Sequence, residues 1–146
     1  MKLPNPYRSS PNILRGLDMV FAVGDIVHAD SALADHPKYH ICVLECGDDG
    51  SAACFLFLNS ETGWRGDCVL NCAEIPCIPA SRTGLSVVSF SQIVRMNARQ
   101  LQLFRAKKIG RLDPKVARKL EAFAKTVPTL TKQERKIILE ALSKIK

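Results

Sequence analysis

Residues 38–60, KYHICVLECGDDGSAACFLFLNS, contain the pattern that decides the fold. Residues 39–46 and 53–58 are rich in β-branched, aromatic and thiol side chains, and Gly47 and Gly50 lie in the polar segment between them. This pattern predicts two antiparallel strands joined by a tight turn. Apolar residues fall on both faces of both strands, which indicates a closed barrel or a sheet with a helix packed over it.

The polar residues of this stretch lie at the outer ends of the predicted hairpin. Lys38, Tyr39 and His40 begin the first strand, and Asn59 and Ser60 follow the second. Because the outer ends of an antiparallel pair are neighbours, we expect these side chains at one rim of the sheet. Lys38 and His40 are two residues apart, so their side chains should emerge on the same face. Whether Ser60 shares that face depends on a register that the sequence leaves open.

The length of 146 residues favours one domain with a substantial core, and the apolar and charged fractions are those of a folded protein. No secretion signal and no membrane span is evident, so we expect a cytoplasmic protein whose six cysteines are reduced thiols. The cysteine spacings contain no C-x-x-C pair. Buried thiols are therefore favoured over zinc, and no metal or cofactor is expected.

Positive charge is concentrated in the last third of the chain. Residues 1–94 contain six Lys or Arg against ten Asp or Glu, whereas residues 95–146 contain fifteen against four. This asymmetry favours a polyanion or an acidic protein segment as a partner. Lysine-rich helices also present solvated faces that bind nothing, so charge alone does not decide between the two interpretations.

Short strands and two closing helices complete the predicted order of elements. A single helical turn at residues 91–93 should lead into residues 94–97. Further strands are expected at residues 22–29, 68–71, 74–78, 85–90 and 103–108, the second and third of these being either separate or one bent strand.

Both closing helices have clear start signals. Asp113 and Pro114 form an N-cap and first-position pair, and the apolar residues that follow recur at helical spacing until Pro128. Thr131 and Glu134 form a capping box that begins the second helix.

Four segments resemble, in order and spacing, motifs of the MazF/PemK toxin family. They are GDIV at residues 24–27, FLNS at residues 57–60, SVVSFSQI at residues 86–93 and KIGRLDP at residues 108–114. The resemblance implies a mainly β fold with C-terminal helices, built as a small SH3-like barrel. Residues 22–127 would form the barrel with its helix, residues 1–21 an extended or partly helical lead-in, and residues 128–146 an extra helix.

The resemblance also implies an activity and partners. MazF/PemK toxins are endoribonucleases of toxin–antitoxin modules, are usually dimeric, and are inhibited by an acidic antitoxin segment. Ser60 matches the family's catalytic Thr/Ser position. The Arg-Pro pair with which the family enters its second strand is replaced by Lys38, Tyr39 and His40, so the catalytic arginine has no counterpart here.

Metal-independent cleavage of single-stranded RNA by 2′-hydroxyl attack needs a base, a cation and a hydrogen-bond donor. His40 suits the base because an unperturbed imidazole titrates near neutral pH, with a pKa of about 6.5. Lys38 suits the cation, and Ser60, with Asn59, suits the donor. The alternative to these catalytic roles is ordinary strand-end and turn chemistry.

Further RNA contacts are expected from one loop and from dispersed cations. Trp64 with Arg65 can stack a splayed base, although a lone loop tryptophan more often covers its own core. Phosphates can be guided by charge at Arg82, Arg95, Lys107 and Arg111. Two other function classes stay open: a non-catalytic barrel that binds RNA or an acidic protein, and a structural or assembly protein that uses its basic helices.

Overall fold

The computed structural model describes residues 20–30, 38–59 and 66–146, apart from the side chain of Gln92. Within these ranges the chain forms six strands, three α-helices and one 3₁₀ turn at Cys72–Glu74. In chain order the elements are β1 (Asp25–Ala29), β2 (Lys38–Leu44), β3 (Ala53–Asn59), β4 (Asp67–Asn71), β5 (Leu85–Met96), α1 (Ala98–Leu103), β6 (Lys107–Arg111), α2 (Pro114–Thr126) and α3 (Lys132–Ser143). The lead-in predicted at residues 1–21 lies almost wholly outside the described residues.

The strands form one antiparallel sheet in the order β4-β5-β3-β2-β1-β6. Among the described strands no pairing joins the two edges, β4 and β6, so the sheet is open. The prediction of a mainly β fold with C-terminal helices is confirmed. The finer prediction of an SH3-like barrel is not confirmed by the strand pairing.

The central hairpin is confirmed, with Tyr39 opposite Leu58 and His40 opposite Phe57. Because neighbouring residues of a strand point to opposite faces, this register sends Tyr39 and Leu58 to one face and His40 and Phe57 to the other. Both faces are apolar, as the sequence indicated. The sheet therefore carries a core on each side.

The larger core lies between the sheet and the two C-terminal helices. Strand residues such as Ile41 and Leu56 pack there against Leu120 of α2 and against Ile138 and Leu142 of α3. The face of the sheet that bears this core is called the helix-covered face below. A smaller cluster on the opposite face includes Val27, Cys42, Phe55 and Met96, together with Leu101 of α1.

Two arginines join α2 and α3, because each donates hydrogen bonds to carbonyl oxygens at the C-terminal end of the other helix. Arg118 of α2 donates to the carbonyl oxygens of Leu142 and Ile145, at the end of α3. Arg135 of α3 donates to the carbonyl oxygens of Ala124 and Val127, at the end of α2. The last carbonyls of a helix lack partners within the helix, and a cation there also interacts favourably with the helix dipole.

A buried carboxylate connects β1 to β6. Asp25 is only 3% exposed, lies 2.5 Å from Nη1 of Arg111 and 3.4 Å from Nζ of Lys108, and accepts a hydrogen bond from the Ala22 backbone. Gly24 precedes it with φ of 94°, a left-handed conformation that favours glycine. Residues 22–24 therefore form a turn, and the first strand begins later than predicted.

Three other predictions of local structure are wrong. Residues 74–78 form no strand, because Asn71 caps the 3₁₀ turn that follows β4 by accepting a hydrogen bond from Ala73 N. Residues 91–93 form no helical turn. Instead β5 is continuous, and residues 90–92 bulge between the pairs Phe57–Ser89 and Leu56–Ile93.

The last strand is also displaced from residues 103–108. Asn97 and Gln100 form a capping box that begins α1, and the strand starts only at Lys107. Arg105, with φ of 53°, makes the turn between helix and strand. In contrast, the two helices predicted at the C-terminal end are confirmed, and Asp113 and Thr131 are their N-caps.

In the described ranges, no helix combines the length and the hydrophobicity required to cross a bilayer.

Candidate ligand groove

A groove of about 480 Å³ opens at one end of the sheet, where β2 begins and β3 ends. It is called the rim groove below. Its walls come from these two strand ends, from the start of β5 and from the loop at residues 78–83. Its lining includes Lys38, Tyr39, Leu58, Asn59, Arg82 and Ser86.

Strand register places the two strand ends of the groove together. Tyr39 is opposite Leu58, and Asn59 is opposite Val87 of β5. Ser86, which precedes Val87 in β5, is buried, with 8% of its surface exposed. The floor is thus built from rigid sheet, and the polar groups stand at its edge.

Local hydrogen bonds hold the loop that carries Arg82. Ser81 Oγ donates to the carbonyl oxygen of Leu85 over 2.6 Å, and Cys72 N donates to the carbonyl oxygen of Gly84 over 2.9 Å. Gly84 has φ of 75°, which allows the tight return into β5. The loop therefore presents Arg82 opposite the strand ends from a fixed base.

The charge of the rim groove is one-sided. Lys38 and Arg82 line it, and the part of the chain that the structure describes contributes no aspartate or glutamate to its lining. Two other grooves have mixed charge: one is lined by Glu74 and Asp113 as well as lysines, and the other by Asp25 and Glu45 as well as lysines. Of the three, the rim groove is the best suited to an anionic ligand.

Lys38 lies on the same face of the sheet as His40 and also borders the rim groove. Its Nζ lies 5.7 Å from the centroid of the Phe57 ring on that face. The Phe57 ring is also 5.6 Å from the ring of His40. The predicted sharing of one face by Lys38 and His40 is thus confirmed, and Phe57 lies between their polar groups.

The environment of His40 differs from the expected one. Its side chain is 6% exposed, packs edge-on against Phe55 and Phe57, and has an Nδ1 atom without a hydrogen-bond partner among the described residues. Burial lowers the pKa of His40 to about 4; a backbone hydrogen bond to Val27 opposes this shift and the charge of His28 adds to it. The expectation of an unperturbed imidazole is wrong, because the hydrophobic face of the sheet disfavours the charged ring.

The other sequence-predicted residues are divided by the structure. Asn59 and Arg82 lie together at the rim groove with Lys38. Lys107 is opposite His28 at the same end of the sheet, whereas Arg95 is opposite Cys54, toward the other end of β3. Arg111 is engaged with Asp25. Ser60, Trp64 and Arg65 lie outside the described residues.

Sequence reasoning missed the hydroxyl groups of the groove. Ser81, Thr83 and Ser86 all line it, and none was singled out. A signal was present, since a basic residue flanked by Ser81, Thr83 and Gly84 lies between two predicted strands. What the sequence lacked was the information that this loop folds back toward residues 38 and 59.

The cysteines are free thiols in the described residues, and Cys42, Cys54 and Cys68 are buried. Burial raises the pKa of Cys42 to about 12 and raises those of Cys54 and Cys68. Across the described ranges no group of His, Cys, Asp and Glu side chains is arranged to hold a metal ion. Cys72 lines the rim groove, where its sulfur lies 3.5 Å from Ser81 N and Oγ.

Comparison with family models, with curated proteins and with solved structures finds no match for this chain. The resemblance to the MazF/PemK family therefore stays a prediction from the four quoted segments.

Proposed function

We propose that the protein binds single-stranded RNA in the rim groove and holds it without cleaving it. The observation that carries the proposal is the charge of the groove, which Lys38 and Arg82 line and which no carboxylate among the described residues lines. Cations of this kind neutralise phosphates and supply most of the affinity of sequence-independent nucleic-acid binding. Asn59 and the hydroxyls of Ser81 and Thr83 can hydrogen-bond phosphate and ribose oxygens.

The apolar part of the groove favours single-stranded RNA over an acidic peptide. The ring of Tyr39, which is partly exposed, offers a surface on which an unpaired base can lie. Unpaired bases bind aromatic side chains through their faces, while their sugar hydroxyls take hydrogen bonds from polar neighbours. An acidic peptide would use the two cations but not the aromatic surface.

Burial of His40 is the reason for preferring binding to cleavage. The proposed base lies among Phe55 and Phe57, on the face opposite to Tyr39, where it is not positioned to take a proton from a ribose in the groove. Endoribonuclease activity, the first hypothesis from the sequence, becomes the alternative outcome of the test. It would need Ser60 or another residue to act in place of His40.

In this proposal the chain is a divergent relative of the MazF/PemK toxins that keeps an RNA surface and lacks the family's arginine. An SH3-like barrel, a homodimer, an acidic antitoxin-like partner and a cytoplasmic location belong to the same proposal. They rest on the resemblance and on the composition of the chain.

The test is a gel-shift experiment with labelled single-stranded RNA in EDTA. Wild-type protein should retard the RNA and leave it intact. The double variant K38A/R82A should bind about tenfold more weakly, because two phosphate contacts are lost. The matched control is K136A/K144A, which removes the same charge from exposed positions on the helices and should bind as wild type does.

Two results would contradict the proposal. Equal weakening by both double variants would place the RNA on the basic helices or make binding a matter of net charge. RNA fragments ending in 2′,3′-cyclic phosphate, formed in EDTA and absent with an inactive variant, would establish the endoribonuclease instead.

A further inference from the structure

We infer that the rings of His28 and Tyr39 form a stacking surface for an unpaired RNA base, next to the rim groove and continuing toward Lys107. This inference rests on the proposed RNA binding and extends it to residues that the sequence did not implicate in that role. It describes how bases are bound, whereas Lys38 and Arg82 are proposed to bind phosphates.

The two rings meet across the pairing of β1 with β2. His28 is directly opposite Tyr39, their ring centroids are 5.0 Å apart, and the ring planes are tilted by 49°. Both residues are only partly buried, so the pair retains accessible ring surface at the end of the sheet. A tilted pair of this kind leaves ring surface that a third flat ring can cover.

The pair is continuous with the groove on one side and with a cation on the other. Tyr39 lines the rim groove, and Lys107 of β6 is opposite His28. Residues directly opposite each other in a sheet point to the same face, so Lys107, His28, Tyr39 and Leu58 form one row. Leu58 is buried, so the accessible part of the row spans the two interstrand steps from Lys107 to Tyr39, roughly 10 Å.

The alternation of charge and aromatic surface along the row suits a single strand. Arg82 lines the rim groove at one end and Lys107 lies at the other, with the two rings between them. Single-stranded nucleic-acid sites combine a positively charged path with aromatic side chains on which bases stack, independently of sequence. Double-stranded RNA would not fit this description, because its bases are already stacked on one another.

A cross-strand ring contact can also be purely structural, and the experiment must separate the two roles. His28 is the position to change, because Tyr39 also packs against the larger core. Binding of two fluorescein-labelled RNA octamers is measured by anisotropy: one carries all its bases, and the other has the same phosphates and sugars with abasic positions throughout. The variants are H28L, which removes the ring, and H28F, which restores one.

H28L should bind the base-containing octamer about five- to tenfold more weakly than wild type, in line with the loss of one stacked base. It should bind the abasic octamer as wild type does, and H28F should recover most of the lost affinity. K107A should weaken both octamers equally. Circular dichroism and a denaturation midpoint establish that each variant is folded.

The inference is overturned if H28L leaves both octamers unaffected, or if it weakens both to the same extent as a general loss of structure would. These outcomes are distinct from failure of RNA binding itself. If H28L is neutral while K38A/R82A still loses affinity, the groove binds RNA and the ring pair does not. If neither change matters, the proposed function fails as well.

Discussion

The rim groove and the pair of C-terminal helices are the two basic regions of the molecule, and they use their cations differently. In the helices, Arg118 and Arg135 are bonded to backbone carbonyl oxygens, and Lys119 is 3.3 Å from a carboxylate oxygen of Glu74. In the groove, Lys38 and Arg82 line a cavity to which no described aspartate or glutamate contributes. The helices hold more charge, but the groove presents its charge to a concave space.

This difference shows why a count of charges does not locate a ligand site. At least five of the fifteen basic residues in residues 95–146 bond to helix-end carbonyls or pair with acids, namely Lys108, Arg111, Arg118, Lys119 and Arg135. The two groove cations belong to the mildly acidic part of the chain, residues 1–94. No described acid of that part of the chain lines the groove, so the local charge there is set by the folded surface and not by the composition of the segment.

The largest expected effect is a pH-dependent loss of stability, which tests whether His40 is buried or exposed like the groove residues. Its pKa of about 4 in the folded protein lies below the unfolded value of about 6.5, so the unfolded state binds more protons between these values. Stability is therefore lost as the pH falls from about 6.5 to 4, by roughly 3 kcal/mol. The H40L variant should lack this component.

The measurement is the free energy of unfolding of wild type and H40L by urea at several pH values between 8 and 4. Other groups titrate in both proteins, so the difference between the two curves isolates His40. A difference that stays constant across this range would mean that the pKa of His40 is the same in the folded and the unfolded protein. His40 would then join Lys38 as a candidate catalytic group, and the case against cleavage would be lost.

The second effect tests the structural role of the helix arginines. R135A should lower the free energy of unfolding by about 2 kcal/mol, because charged hydrogen bonds to two carbonyls at the end of α2 are lost. The exposed neighbour is a matched control: K136A should change stability by less than about 0.5 kcal/mol. If R135A were instead neutral for stability and weakened RNA binding, the helices would be the nucleic-acid surface.

The smallest expected effect is a change in how RNA affinity depends on salt concentration. For single strands, log Kd depends on log salt concentration with a slope of about 0.7 per phosphate contact. R82A should reduce this slope by about that amount, and K136A should leave it unchanged. Anisotropy titrations between 50 and 200 mM salt, at least three points per variant, measure it. Equal slopes for wild type and R82A would remove Arg82 from the phosphate path.

Much of the fold could be predicted from local patterns. The alternation and turn residues of residues 38–60 predicted the hairpin, and Asp113, Thr131 and Glu134 predicted where two helices begin. The capping box of Asn97 and Gln100 is present in the sequence, but the residues that follow it also suit a strand. The bulge in β5 could not be predicted, because it depends on pairing with β3 and not on the residues of β5 alone.

The candidate site was predicted in part. Lys38, Asn59 and Arg82 were all named, but they were assigned to separate roles, and nothing in the sequence indicated that one groove brings them together. His40 was given a role that requires contact with solvent. Its burial arises from Phe55 and Phe57 on the neighbouring strand, and a register one residue different would have placed it elsewhere.

By itself, the sequence determined the central hairpin and where the two C-terminal helices begin, because these depend on side chains within a few residues of each other. Tertiary structure alone decided which cations face a ligand and which close a helix. Residues 38, 59 and 82 meet only after the sheet has formed, and the same packing that joins them excludes water from His40. Electrostatic character at a site follows from burial and neighbours, and both are set by the fold.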